Sequence, residues 1–533
     1  MGRIQSTIIK SSAAMLAVAI AVPAGASAQN NPELNSYRIE TNDCPGCGAQ
    51  QFTSQEDVRA YLNDFRAILA DGRGNSSSSN SYYNPFSRSR SNDQVVFLDF
   101  DAGGAPTFPV CNSDGSVFGI FQDHFYTQPE RDAIQARIAA DYGDFDFSFT
   151  QTQPNSGEFT TLVIGQNDAP LDCSGGSNIT VTATGGVSIL FGQADAIDFR
   201  NQNMSDNAFA DASIWEFLAQ LDPSGGFFEA FSGLSVDDFG GNLLLAVSEA
   251  VTNQTANTGA HEVGHLQGLR HQNSFGAPGD GIPDTGAISP FDFVPVFDGP
   301  SNASETVLHT MASGASVGLG LSGSTITDRF FSERSAARLT IAERGRVTSE
   351  SSARRWRGFV SLGFLSVPNT IVEGRNQNSR ISVRANVIEG DIDVLDETDS
   401  YTFFGIKGEF FNAELVSVIG EGLSFDDGIL GQVRLYQINR NGSETLIASN
   451  LQSFESLFDA EIFDVELPAY GFYRVEVSAP DEFFPFDADG DGALDPQTIS
   501  TFGGAPQLLT GSYSLQMFTC SKRLQPGRRV ASN

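Results

Sequence analysis

Three closely spaced histidines constrain the fold of this chain more than any other feature. His261, His265 and His271 occur in one short segment, and Glu262 follows the first of them. Side chains four residues apart lie on one face of a helix, so His261 and His265 can point at the same atom. His271 cannot share that face, and Gly268 permits the necessary turn because glycine accepts a positive φ. The spacing predicts a helix, a turn and a returning chain.

Such a set of imidazoles suits catalytic zinc. Three protein ligands leave the fourth tetrahedral position open, whereas structural zinc sites are closed. Zinc lowers the pKa of its water to about 7, and a neighbouring carboxylate can take the proton. We therefore expect a zinc hydrolase with His261, His265 and His271 as metal ligands and Glu262 as catalytic base. An unmetallated polar helix face is the alternative, although the motif uses three of only five histidines in the chain.

The extended motif resembles the metzincin signature. Metzincins carry a methionine-containing turn beneath the zinc, and Met311 lies at the matching place in His309–Gly314. The resemblance implies an α+β catalytic domain with a mixed sheet, acting as a metalloendopeptidase that hydrolyses peptide bonds of proteins. Gln272 matches none of the usual subfamily residues after the third histidine. Ser313 replaces the tyrosine ligand of some relatives, so we expect no fifth ligand.

The N-terminus predicts export. Arg3 and Lys10 precede an apolar run at 13–22 and the small-x-small sequence at 26–28, which is typical of a signal peptide at 1–28. We expect a secreted, extracellular protein. No later run reaches the roughly 18–20 apolar residues of a membrane helix, so no stable membrane insertion is expected.

Composition and periodicity divide the rest into several domains. Strand and helix patterns mix up to about residue 345, and short alternating strands of β-sandwich type follow. We expect a propeptide-like region with a Ser/Asn-rich linker at 29–93, a zinc metallopeptidase domain at 94–345, a linker at 346–380, an all-β sandwich at 381–520 and a tail at 521–533. The sandwich resembles the bacterial pre-peptidase C-terminal domain through Asp396–Tyr401 and Gly511–Tyr513. Its role and retention stay open.

Charge and an acidic loop suggest which partners the chain has. A net charge of −34 excludes a nucleic-acid partner, which needs clustered cations. We expect a monomer that binds protein or peptide substrates.

Asp487, Asp489, Asp491 and Asp495 alternate as in an EF-hand calcium loop, with Thr498 where the bidentate Glu usually stands. We expect a calcium site in this loop, and a merely solvated acidic turn is the alternative.

Five cysteines fit an oxidising compartment and leave at least one thiol without an intramolecular partner. Their connectivity cannot be deduced from sequence. The segment Pro45–Gly48 is similar to the cysteine switch of matrixin propeptides. That resemblance implies a zymogen in which the thiolate of Cys47 occupies the open zinc position, while a disulfide through Cys47 is the alternative.

Two rival functions remain. The chain could be a secreted calcium-dependent binding or adhesion protein with a vestigial zinc site, although such a protein would not need Glu262. It could also be a zinc hydrolase that acts on esters or amides other than peptides.

Overall fold

The computed structural model describes residues 94–100, 107–165, 170–174, 177–183, 187–194, 205–270, 273, 309–311, 329–368, 381–394, 397–417, 431–450, 460–479, 483–486, 495–497 and 511–521. Within these residues the fold is mixed α/β, multidomain and rich in strands, with few helices. The expected signal peptide at 1–28 and the region at 29–93 lie outside them. None of the described helices is long and apolar enough to cross a membrane.

The helices are α1 (Gln128–Asp141), α2 (Ser213–Leu221), α3 (Gly226–Ser232), α4 (Leu243–His265), α5 (Glu333–Arg344) and α6 (Glu350–Arg355), with a 3-10 turn at Val236–Phe239. The strands are β1 (Gln94–Asp99), β2 (Thr107–Asn112), β3 (Val117–Gln122), β4 (Phe147–Thr150), β5 (Thr160–Ile164), β6 (Ile179–Val181), β7 (Val187–Ile189), β8 (Gly192–Ala194), β9 (Asn207–Ala210), β10 (Val347–Ser349), β11 (Gly363–Val367), β12 (Ile381–Ile392), β13 (Thr398–Gly405), β14 (Glu409–Ser417), β15 (Gln432–Ile438), β16 (Glu444–Asn450), β17 (Ala460–Glu466), β18 (Gly471–Ser478), β19 (Phe483–Phe486), β20 (Asp495–Gln497) and β21 (Gly511–Ser521).

A five-stranded sheet with the order β4-β1-β5-β9-β8 supports the N-terminal half. Its strands are parallel except β8, which runs antiparallel to β9 at one edge. Helices α1 and α4 pack against each other beside this sheet, and α4 also contacts β5, β8 and β9. The sheet therefore places its antiparallel edge strand against the helix that carries the histidine motif.

Side chains satisfy backbone groups at the starts of two helices. At the start of α1, the Glu130 carboxylate accepts the Thr127 backbone N–H at 2.6 Å, which completes a capping box. At the start of α5, the Ser332 hydroxyl accepts the Ser335 N–H at 3.0 Å. Helix α4 is one continuous helix of 23 residues that carries the histidine segment at its C-terminal end.

A second sheet has the order β3-β2-β6-β7, and its strand β3 contacts α2. A disulfide between Cys111, at the end of β2, and Cys173 ties this sheet to the segment that precedes β6. Cys520 of β21 is buried. The sequence predicted the oxidising environment but not this pairing.

Two sheets build the C-terminal half. One has the order β10-β12-β21-β14-β17, with β11 also paired to β12, and the other has the order β13-β18-β15-β16. Side chains such as Phe403, Phe411, Leu435 and Leu515 fill the space between them. Residues 347–367, which we expected to lie in a linker at 346–380, instead form β10, α6 and β11, because β12 pairs with both of these strands.

Candidate metal centre

Helix α4 places His261, Glu262 and His265 inside the protein. The three residues are 5%, 1% and 0% exposed. The helix approaches the sheet closely at Gly259, where an added Cβ would lie 2.8 Å from Leu162. A small residue at this position therefore lets a largely buried helix settle against β5.

The two imidazoles face each other with defined ring orientations. His261 Nδ1 lies 2.7 Å from the Thr310 carbonyl oxygen, and His265 Nδ1 lies 2.8 Å from the Leu269 carbonyl oxygen. A carbonyl oxygen only accepts, so each Nδ1 carries a proton and donates it. The two Nε2 atoms then lie 3.0 Å apart. In neutral rings both Nε2 atoms present lone pairs to each other.

That arrangement favours a shared cation. Two lone pairs at this distance repel unless a proton or a metal ion lies between them. Nitrogen ligands of tetrahedral zinc lie about 2.0–2.1 Å from the metal, which puts two of them about 3.3 Å apart. The Nε2 separation of 3.0 Å is close to that spacing. His261 and His265 can therefore act as two ligands of one metal ion.

The helix ends in the turn that the sequence predicts. Gly268 has a φ of +82°. Its N–H donates to the His265 carbonyl at 2.8 Å, and the Leu269 N–H donates to the Gly264 carbonyl at 3.0 Å. These two bonds form a Schellman motif, in which glycine takes the left-handed position. His271, the third expected ligand, lies outside the described residues.

Glu262 lies beneath the edge strand β8. A Cβ added to Gly192 of β8 would fall 2.5 Å from Glu262 Oε1 and 2.5 Å from Thr258 Cγ2. The strand backbone therefore passes directly over the carboxylate. A carboxylate one residue from His261, under the last strand of the sheet, is placed to exchange a proton with a group bound along that strand.

Met311 lies against the histidine helix from the opposite side. It is fully buried, and a Cβ added to Gly264 would lie 2.6 Å from its Sδ atom. The preceding residue, Thr310, donates its N–H to the Phe330 carbonyl at 2.8 Å and supplies the carbonyl that orients His261. The predicted methionine turn thus contacts the helix between the two histidines.

A buried acidic cluster near the start of α1 was not predicted. The His124 ring lies between Glu216 Oε1 at 2.9 Å and Glu130 Oε1 at 3.2 Å. Burial lowers the pKa of His124, but the two carboxylates outweigh it, so the pKa is raised above its ordinary value. Burial and the nearby Asp211 raise the pKa of Asp123 to about 7. Sequence reasoning missed this cluster because Glu216 lies 92 residues from His124 along the chain.

The remaining site predictions fall mostly outside the described residues. Cys47 lies there, and so do Asp487, Asp489 and Asp491 of the acidic loop. Asp495 begins β20, paired with Phe486 of β19, so the predicted loop joins two paired strands.

Within the described residues, one group of three side chains offers ligand atoms within 4.8 Å of one another, namely Glu350, Glu397 and Asp399. Arg354 pairs with all three carboxylates. The group is therefore already neutralised in part by a guanidinium group.

Comparisons with known proteins identify partial structural similarity only. No known family matches the sequence, and no curated protein matches it. The pre-peptidase C-terminal domain of a Bacillus anthracis collagenase is similar at 16% identity, over 25% of this chain and 86% of that domain, with a TM-score of 0.14. The Aeromonas hydrophila periplasmic lysozyme inhibitor PliG matches at 10% identity over 33% and 97%, with a TM-score of 0.15. An Aeromonas sobria serine protease matches at 11% identity over 37% and 31%, with a TM-score of 0.13.

Proposed function

We propose that this protein is a secreted zinc-dependent endopeptidase of the metzincin type. The observation that carries the proposal is the pair of buried imidazoles whose Nε2 atoms lie 3.0 Å apart while each Nδ1 donates to a carbonyl. Backbone carbonyls that fix ring tautomers in this way are typical of metal-ligating histidines. Glu262 beside them supplies the base that a hydrolase needs and a structural metal site does not.

The donor set fits zinc. His261 and His265 would hold the ion, with His271 as the third ligand that the sequence motif supplies. When bound, zinc would lower the pKa of water to about 7 and polarise a carbonyl group. Imidazole nitrogens suit this borderline-soft ion, and three of them leave one position for the reaction.

Glu262 performs the proton transfers. Its residue follows His261 in the chain, and its carboxylate lies under β8. It takes a proton from the water and then delivers this proton to the leaving amine, so no covalent enzyme intermediate forms. The reaction consumes one water and releases a new carboxylate and a new amine.

The sheet edge supports a peptide substrate. Among the described strands β8 is the last of its sheet, so one side of its backbone has no partner strand in that part of the chain. An extended peptide can add to such an edge through backbone hydrogen bonds, which recognise the main chain of any sequence. Since β8 covers Glu262, a peptide lying along it would bring a scissile bond close to the base.

Chelation and reloading test the proposal. The purified full chain should cleave casein, lose activity with a zinc chelator and regain it with zinc. Cleavage that survives chelation would reject a metallopeptidase. Hydrolysis of esters or simple amides without casein cleavage would favour a different zinc hydrolase, and calcium-dependent binding without any hydrolysis would favour an adhesion protein.

A further inference from the structure

A buried ion-pair cluster connects the turn after the histidine helix to the C-terminal sheet. Arg270 Nε donates to Glu414 Oε1 of β14 at 2.7 Å, and Arg338 of α5 pairs with the other oxygen of Glu414. Arg270, Arg338 and Glu414 are 2%, 3% and 2% exposed, respectively. Arg338 also donates to the Gly268 carbonyl at 3.2 Å. One carboxylate from β14 therefore holds the turn both directly and through α5.

The turn also orients the imidazole of His265. Its Leu269 carbonyl, one residue before Arg270, accepts the hydrogen bond from His265 Nδ1 at 2.8 Å. A displacement of Arg270 must therefore move the group that fixes the tautomer and direction of the His265 ring. Loss of such a supporting partner typically lowers metal affinity about 10–100-fold.

The surrounding packing joins the two halves. One continuous apolar core contains Leu266 and Leu269 of the turn, Met311, and Val387, Phe410 and Phe518 from strands β12, β14 and β21. The opposite face of the same sheet packs onto the second C-terminal sheet. This sheet is thus a central layer with both faces covered.

We propose that the C-terminal sheet is part of the scaffold of the metal centre. Glu414 is a positioning residue that acts through Arg270 and Arg338. It holds the turn that keeps the Leu269 carbonyl against His265. The expected effect on metal affinity rests on the proposed function, whereas the expected effect on the structure of the turn does not.

A second ion pair across the same interface provides a matched control. Arg334 Nη2 of α5 lies 2.7 Å from Asp464 Oδ2 of β17, and these residues are 1% and 4% exposed. The pair has the same chemistry and burial as Arg270 and Glu414. It differs because Arg334 belongs to α5 rather than to the turn.

The test compares Glu414→Gln with Asp464→Asn in the full chain. Hydrogen exchange of the metal-free proteins reports on the Gly268 and Leu269 amides, and titration with Co²⁺ reports on the metal site through its absorption spectrum. We expect a similar fall in thermal midpoint for both variants. Only Glu414→Gln should speed exchange in the turn and weaken Co²⁺ binding, by about 10–100-fold.

Glu414→Gln leaves two buried guanidinium groups without their carboxylate, and this variant could fail to fold. A second pair of milder substitutions provides the same comparison in that case. Arg270→Lys and Arg334→Lys keep the charge but lose the guanidinium geometry. The same contrast is expected, with the effect on the turn confined to Arg270→Lys.

The outcomes separate the two proposals. Equal exchange in the turn for the two members of a pair would overturn the positioning role, even if wild type binds Co²⁺. Faster exchange in Glu414→Gln, together with a wild type that binds no Co²⁺, would reject the proposed function and uphold the positioning of the turn.

Discussion

Replacing Gly192 by alanine is expected to displace Glu262 while His261 and His265 stay in place. The added Cβ would lie 2.5 Å from Glu262 Oε1 and 2.8 Å from its Cγ. The glycine backbone is outside the left-handed region, so alanine itself introduces no backbone strain. The collision with side chains of α4 is therefore the main consequence of the substitution.

The distances set the size of the effect. Ordinary contact of a Cβ begins near 3.4 Å, so the carboxylate must withdraw by about 1 Å. Thr258, the other neighbour at 2.5 Å, is held by the helix and accepts a hydrogen bond from Gln254 at 2.8 Å. A misplacement of about 1 Å can cost about 100-fold in rate. We expect kcat/KM to fall by about that factor, or about 2.7 kcal/mol.

Peptide cleavage rates, zinc content and thermal midpoint should be measured for wild type, Gly192→Ala and Gly363→Ala. Gly363 of β11 is a suitable control because an added Cβ would meet only the Ala385 carbonyl, at 3.8 Å. The expected result is a slow Gly192→Ala enzyme with full zinc, beside an unaffected control. A folded, zinc-loaded Gly192→Ala enzyme with wild-type kcat/KM would refute the placement of Glu262 under β8.

Further predictions concern stability. Gly264→Ala should lower the free energy of unfolding by about 1–3 kcal/mol, because the new Cβ would lie 2.6 Å from Met311 Sδ and overpack the core. In a double-mutant cycle, Met311→Ala should relieve part of this loss. Strictly additive changes in stability would argue against the contact. Because the pKa of Asp123 is raised in the folded state from 3.8 to about 7, the folded state binds more protons than the unfolded state between these pH values. The free energy of unfolding should therefore fall as pH rises from about 4 through 7. Denaturant titrations of Asp123→Asn should show a weaker dependence of stability on pH, and an unchanged dependence would contradict this. Removing the Cys111–Cys173 disulfide, with a sequence separation of 62, should lower stability by about 4 kcal/mol in the chain-entropy model; an unchanged unfolding midpoint would contradict it.

The sequence predicted those parts of the structure whose determinants are local. The turn at Gly268 is decided within the helix end, where the chain needs a residue with a positive φ. The orientation of His261 could not be predicted, since its carbonyl partner belongs to Thr310, 49 residues away.

The C-terminal sheet shows why the rest was missed. Alternating residues predict strands, but a polar alternate face is equally consistent with water and with a further protein layer. In β14 that face includes Asn412 and Glu414, which are only 4% and 2% exposed because α5 and the turn cover them. Composition likewise suggested a linker at 346–380, where pairing with the distant β12 forms strands.

Zinc content and casein cleavage should be measured for the purified full chain beside Glu262→Gln. Glutamine keeps the size of the side chain and removes its ability to accept a proton at neutral pH. If the protein is a zinc peptidase with Glu262 as its base, both proteins hold one zinc per chain and only the wild type cleaves casein. Absence of zinc from the wild type, or equal cleavage by both proteins, would contradict it.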